Sequence, residues 1–237
     1  MDVLFPMAGQ GARFGHKFKP FLRIGDEPFI QAAVRPFLPF VGTISRFVFV
    51  YLEQQERDFA VSAELARMFD GIPFTTVRLP SPTRGPAETI TRAVHELGLT
   101  GRAFICDCDH SLDVAPLFDV VERGERYDVL LPVWPLEAET IASWSVAMVE
   151  SGRVLAIGEK CIPDGSRGTA MGVIGCYGFR EIGDIARRAD AISATNFSDV
   201  ISQMLTEDAV VRAARIERAI FFGDPQRLEH AQMRGSV

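Results

Sequence analysis

Lysine is nearly absent. The 237-residue sequence contains 25 lysines and arginines, and only Lys17, Lys19 and Lys160 are lysines. Where arginine fills almost every basic position, these exceptions stand out: an ammonium is a compact point charge, whereas a guanidinium is a planar fork. Cysteine is also scarce. Cys106, Cys108, Cys161 and Cys176 form no Cys-x-x-Cys pair and have no histidine at metal spacing. This argues against a zinc site and for reduced thiols in a cytoplasmic protein. Positive charge is not in excess. A net charge of −6 disfavours nucleic acid and anionic membranes as partners, while leaving room for a local basic pocket that holds a small phosphate ligand. No run of about 18 apolar residues is present to span a membrane. The opening Met1-Asp2 lacks the basic stretch of a secretory leader. The sequence also lacks repeats, linkers and low-complexity segments.

What remains is a globular composition, 47% hydrophobic with 18 phenylalanines, which excludes a disordered chain, a collagen and a coiled coil. A chain this long buries roughly 70% of its unfolded surface and folds without disulfide or metal staples.

Apolar runs and turn signals predict alternating strands and helices over the first half. Val3–Met7 reads as a buried strand running into Gly9-Gln10-Gly11. Strands are expected at 47–52, 74–79 and 103–106, and helices from Pro28, over 56–69 and over 86–97. This alternation predicts an α/β fold with a mostly parallel sheet, and such sheets bind ligands beyond the carboxyl ends of their strands. The loops 8–15 and 107–111 lie at such ends. The second half is more mixed. It has a strand at 129–133, a hairpin over 145–157, a strand at 173–179, a helix at 197–205, a strand at 220–222 and a final helix from Pro225. A single domain is expected, with a nucleotide-binding half over about 1–115 and an acceptor-binding half over about 116–237.

The loop Gly9–Pro20 admits three readings. A Walker A loop fails, because no glycine is followed at the right distance by Gly-Lys. A dinucleotide fingerprint fits Gly9 and Gly11 but meets Phe14 where a third glycine is needed for close helix packing. The third reading is Gly-x-Gly-x-Arg followed by Lys-Pro. Two glycines let the backbone approach phosphates, Arg13 can grip them bidentately, and Lys19, held by Pro20, can sit beside one phosphate.

The string from Pro6 through Phe14, continued by Lys19-Pro20-Phe21-Leu22, resembles the N-terminal signature of the sugar-phosphate nucleotidyltransferases, the nucleoside-diphosphate-sugar pyrophosphorylases. The resemblance extends to Gly85-Pro86-Ala87, Asp107-Cys108-Asp109, Glu159-Lys160 and the turn around Gly223-Asp224-Pro225. It implies a Rossmann-like nucleotidyltransferase fold of the GT-A type with a mixed sheet. It also implies an NTP and a small phosphorylated acceptor as substrates, and Mg²⁺ as cofactor. Ala8, Gly9, Gly11 and Gly85 would contact the nucleotide. Arg13, Lys19 and Lys160 would be catalytic, with Lys160 facing the acceptor's phosphate. Asp109 would bind the metal with help from Asp107. Phe221 stands where a second metal carboxylate is expected, and Asp224 reads either as a ligand or as the cap of the last helix. His110 reads as a neighbour of the metal site or as a packing residue.

Two other readings stay open: a non-catalytic nucleotide- or nucleotide-sugar-binding regulator, and a GT-A glycosyltransferase using the Asp107/Asp109 pair. The base, the acceptor and the choice between monomer and homo-oligomer are not legible.

Overall fold

A computed structural model describes residues 1–136, 138–165 and 167–233. They pack as two compact units. The first comprises Met1–Arg84, Ile105–Asp113 and the segment from Arg218 onward; the second comprises Gly85–Phe104 and Val114–Glu217. The units exchange segments along the chain, and one boundary falls inside the strand Ala103–Cys106.

In the first unit, Asp2–Pro6 pairs in parallel with Arg46–Leu52, which pairs in parallel with Phe74–Leu79. The strand that ends at Cys106 lies on the other side of Asp2–Pro6. Asp2–Pro6, Arg46–Leu52 and Ala103–Cys106 are buried nearly end to end, as continuous apolar runs in a covered parallel sheet must be, whereas the edge strand Phe74–Leu79 buries only Val77 and Leu79. Phenylalanines fill the core: Phe5 stacks on Phe49 at 5.6 Å and Phe49 on Phe69 at 5.2 Å. Each buried ring contributes about 1.5–3 kcal/mol. A second cluster joins Ile24, Phe29, Ala32, Phe222 and Ala231, and Phe14 and Leu22 pack against it. Phe14, the residue that spoils the dinucleotide fingerprint, lies edge-on to Phe29 and ties the glycine loop to this cluster. The expected helix over 56–69 is two helices, Glu53–Phe59 and Val61–Met68, broken at Ala60 with φ 49°. Alanine gives no breaker signal, so the sequence could not show this. The short strand Ala219–Phe221 pairs antiparallel with His110–Leu112.

In the second unit, Ser145–Glu150 and Arg153–Glu159 form the expected hairpin. Thr169–Val173 pairs antiparallel with both Ser145–Glu150 and Val129–Pro135, and Cys176–Phe179 pairs antiparallel with Val129–Pro135. Val211–Arg215 pairs with Val129–Pro135 in parallel. The single strand expected at 173–179 is thus split at Ile174-Gly175 into the ends of two strands, both paired with Val129–Pro135, the first of them also with Ser145–Glu150. The sheet is mixed, with its described antiparallel pairings in this unit. The helix Pro86–Leu97 forms where predicted, with Pro86 at its start and Gly98 closing it at φ 60°. Among the described residues, no helix is long and apolar enough to cross a membrane.

Candidate active site

The glycine loop leaves the strand Asp2–Pro6 through Met7 and Ala8, both buried. Gly11 adopts φ 63°, and its carbonyl accepts from Phe14 N at 2.9 Å and His16 N at 3.0 Å. A Cβ on Gly11 would sit 2.0 Å from the Lys17 carbonyl oxygen, so the turn requires glycine in both conformation and space. Gly11→Ala is expected to destabilise the protein by about 1–3 kcal/mol. It should also abolish any rise in melting temperature on adding nucleotide. Thermal unfolding with and without NTP checks this. Gly9 is held differently: its carbonyl accepts from Gln55 Nε2 at 3.1 Å, while Gln55 Oε1 accepts from Leu52 N at 2.8 Å. Sequence reasoning missed this buried glutamine, because its partner lies 46 residues away.

Past the loop, Lys19-Pro20-Phe21 forms a single tight turn with Pro20 buried. This turn presents Lys19 Nζ to Asp109 Oδ2 at 2.5 Å, with the two side chains 22% and 27% exposed. The two residues that the sequence singles out most strongly therefore meet. Arg13 lies in the turn Ala12–Phe14, exposed and without a partner among the described residues. Asp107 is half-buried, and its charge also acts on Lys19.

Burial works against the Lys19 ammonium, but the charges of Asp109 and Asp107 and the bond to Asp109 outweigh it, raising the pKa above the ordinary 10.5. Burial likewise works against the Asp109 carboxylate. The hydrogen bond from His110 and the charge of Lys19 prevail and hold it well below the usual carboxylate range. Burial pushes the Cys108 thiol up to about 12, so it is a neutral side chain and no nucleophile near neutrality.

The stability that this pair provides has a definite pH window. The depressed Asp109 pKa contributes fully above the ordinary value of 3.8 and is lost as pH falls through the folded value. The raised Lys19 pKa contributes fully below 10.5 and is lost as pH rises through the folded value. The melting-temperature difference between wild type and Asp109→Asn should therefore be larger at neutral pH than at about pH 3. A difference that does not shrink on acidification contradicts the pairing.

Gly223 closes the site from the C-terminal segment: a Cβ there would lie 2.6 Å from Asp109 Oδ2. Asp224, weighed as a metal ligand, is engaged as a cap. Its Oδ1 accepts from Arg227 N at 2.9 Å, and its Oδ2 pairs with Arg227 Nε at 3.3 Å. Phe221 pairs with His110 across the short sheet.

Asp107 and Asp109 together offer hard carboxylate oxygens. That donor set fits Mg²⁺, which is held by one or two carboxylates together with substrate phosphates. Among the described residues, no group of three or more His, Cys, Asp or Glu side chains could hold a metal by itself.

The remaining predicted residues belong to the second unit. Gly85 packs on the Thr195 backbone, where a Cβ would lie 2.5 Å from the Thr195 oxygen, so local packing already accounts for this glycine. Lys160 is exposed and left-handed at φ 56°, and its N–H donates to Trp144 O at 3.0 Å. A non-glycine residue seldom holds that conformation without a surrounding structure that imposes it. Beside it, Glu159 Oε2 accepts from Ser145 Oγ at 2.6 Å and from Ser198 Oγ at 2.9 Å, a latch that no local signal announced.

The whole chain has close structural counterparts. A nucleoside-diphosphate-sugar pyrophosphorylase from Vibrio cholerae RC9 superposes with a TM-score of 0.80 at 20% identity, over 98% of this chain and 99% of that one. A UTP-bound UGPase from Acinetobacter baumannii gives 0.76 at 17% identity over 99% and 92%. A UDP-glucose pyrophosphorylase complexed with UDP-glucose gives 0.78 at 16% identity over 99% and 97%. No curated protein sequence matches significantly. The fold is that of the nucleotidyltransferases, α/β with a mixed sheet. Residues 4–164 match the MobA-like NTP transferase domain, and the chain belongs to that family.

Proposed function

We propose that the chain condenses an NTP with a sugar phosphate, or a related phosphorylated acceptor, to give an NDP-linked product and pyrophosphate. The observation that carries this reading is the Lys19–Asp109 pair, which follows neighbouring strands, one of them leading into the glycine loop. The acceptor's phosphate is largely ionised near neutrality, its second pKa being about 6, so its oxygen attacks the α-phosphorus without a general base. The bond from the α-phosphorus to the bridging oxygen breaks, and pyrophosphate leaves with the electron pair. The difficulty is bringing two anions together, which calls for cations in fixed positions. In this reading Lys19 offsets charge at the α-phosphate and Arg13 takes the leaving phosphates. For Lys160, the resemblance to the family alone suggests a role at the acceptor's phosphate. Asp109 and Asp107 would hold Mg²⁺, which when bound neutralises phosphate charge. The relatives bound to UTP and to UDP-glucose support nucleotide and nucleotide-sugar as the ligand classes.

A second reading, a nucleotide-binding regulator without turnover, draws on Asp224 being engaged with Arg227. A thermal-shift screen of CTP, UTP, GTP, ATP and dTTP with Mg²⁺ tests the shared premise, since a ligand of the native state raises its melting temperature. One nucleotide is expected to stand out; no shift with any of the five contradicts both readings.

A further inference from the structure

The carboxylate of Asp109 is confined from three sides. Lys19 Nζ holds Oδ2, Gly223 leaves room beside the same oxygen, and His110 Nδ1 faces Oδ1 at 3.3 Å. His110 is 3% exposed, far too buried to be a solvated surface residue. Its backbone is fixed in the short antiparallel pair with Ala219–Phe221, where Phe222 N donates to Asp109 O at 3.0 Å. Its other ring nitrogen, Nε2, lies 3.6 Å from Cys106 Sγ. The imidazole is thus engaged at both nitrogens, between the end of a central strand and the carboxylate. An ionised carboxylate only accepts hydrogen bonds, so the nitrogen facing it carries the proton. This arrangement resembles the second layer around metal sites, where a partner fixes the orientation of a ligand group.

We propose that His110 is a positioning residue: its Nδ1–H sets the Asp109 carboxylate so that Oδ2 is presented to Lys19 and to the incoming nucleotide. The role rests on the nucleotidyltransferase reading. His110 touches no substrate; it acts through Asp109. The Cys106 thiol bounds the ring on its far side, and Gly223 makes the presented geometry sterically possible.

Two variants separate the hydrogen bond from the packing. His110→Asn keeps an N–H donor near the Nδ1 position, whereas His110→Phe keeps a buried ring and removes the donor. His110→Phe is expected to weaken the Mg²⁺ dependence of NTP-induced thermal stabilisation, and turnover, by about tenfold to a hundredfold. His110→Asn should restore most of both. The ¹⁵N resonance of the Lys19 ammonium should move in the Phe variant and stay in place in the Asn variant. In the unmutated protein the imidazole ¹⁵N spectrum should show a protonated Nδ1, which requires no variant to fold. An unprotonated Nδ1 overturns the inference, as does a Phe variant with wild-type Mg²⁺ dependence. Asp109→Asn serves as the control. If it loses turnover while His110→Phe does not, only the role of His110 falls; if Asp109→Asn keeps turnover, the reading beneath it falls as well.

Discussion

Lys19→Ala is expected to lower turnover by about 10²-fold or more, comparable to losing one preorganised donor at a developing charge. The argument is geometric. Pro20 is buried in the turn that carries Lys19, so the ammonium is directed by the backbone rather than left to a flexible stem. Its pKa lies above the ordinary value, so it is charged at any working pH. Removing it should raise the barrier to turnover while leaving nucleotide binding through the loop backbone largely in place. The measurement is the steady-state rate of pyrophosphate release under saturating substrates. Lys19→Arg is expected to recover little, because a planar fork cannot reproduce a point charge at this position. A near-wild-type rate in the alanine variant would remove Lys19 from the chemistry.

Asp109→Asn is the second large effect. The substitution keeps the shape of the side chain and removes its charge, together with the only ion-pair partner found for Lys19 among the described residues. A loss of about 10²-fold in turnover is expected. It should be accompanied by a lost or much weakened Mg²⁺ requirement for nucleotide binding. Both side chains are only about a quarter exposed, so removing the carboxylate charge leaves a largely buried ammonium without its partner, and a lowered melting temperature is expected alongside the lost activity. A variant that unfolds, yet turns over normally while folded, would show the pair to be structural.

The sequence made much of this site readable for identifiable reasons. Strands 74–79 and 103–106 and helix 86–97 fall where the pattern and proline placed them: 74–79 alternates, 103–106 is a short continuous apolar run, and the helix opens on Pro86 with one apolar face. Lys19 was conspicuous through the rarity of lysine and the proline that follows it, and Asp109 through its place after a buried strand. Other features depend on distant pairing. The strand Val211–Arg215 carries alanines and arginines in place of β-branched residues and is recruited by its parallel partner Val129–Pro135. The helix Ile182–Ala191 went unpredicted. Its apolar spacing at Ile182, Ile185, Ala186 and Ala189 was present, but Glu181 is an uncommon cap. The role of His110 was hidden because one histidine beside one aspartate reads equally as packing. Only its burial and the contact with Cys106 distinguish the two. Gly223 looked like part of a turn until its distance to Asp109 gave it a reason.

The most direct test of the central claim is to incubate the purified protein with Mg²⁺, each of the five common NTPs and a set of sugar 1-phosphates, and to follow pyrophosphate. The account predicts release that requires both one nucleotide and one phosphorylated acceptor, and that disappears with Lys19→Ala. Nucleotide binding without pyrophosphate from any pairing, or release of NDP from a finished NDP-sugar instead, would contradict it.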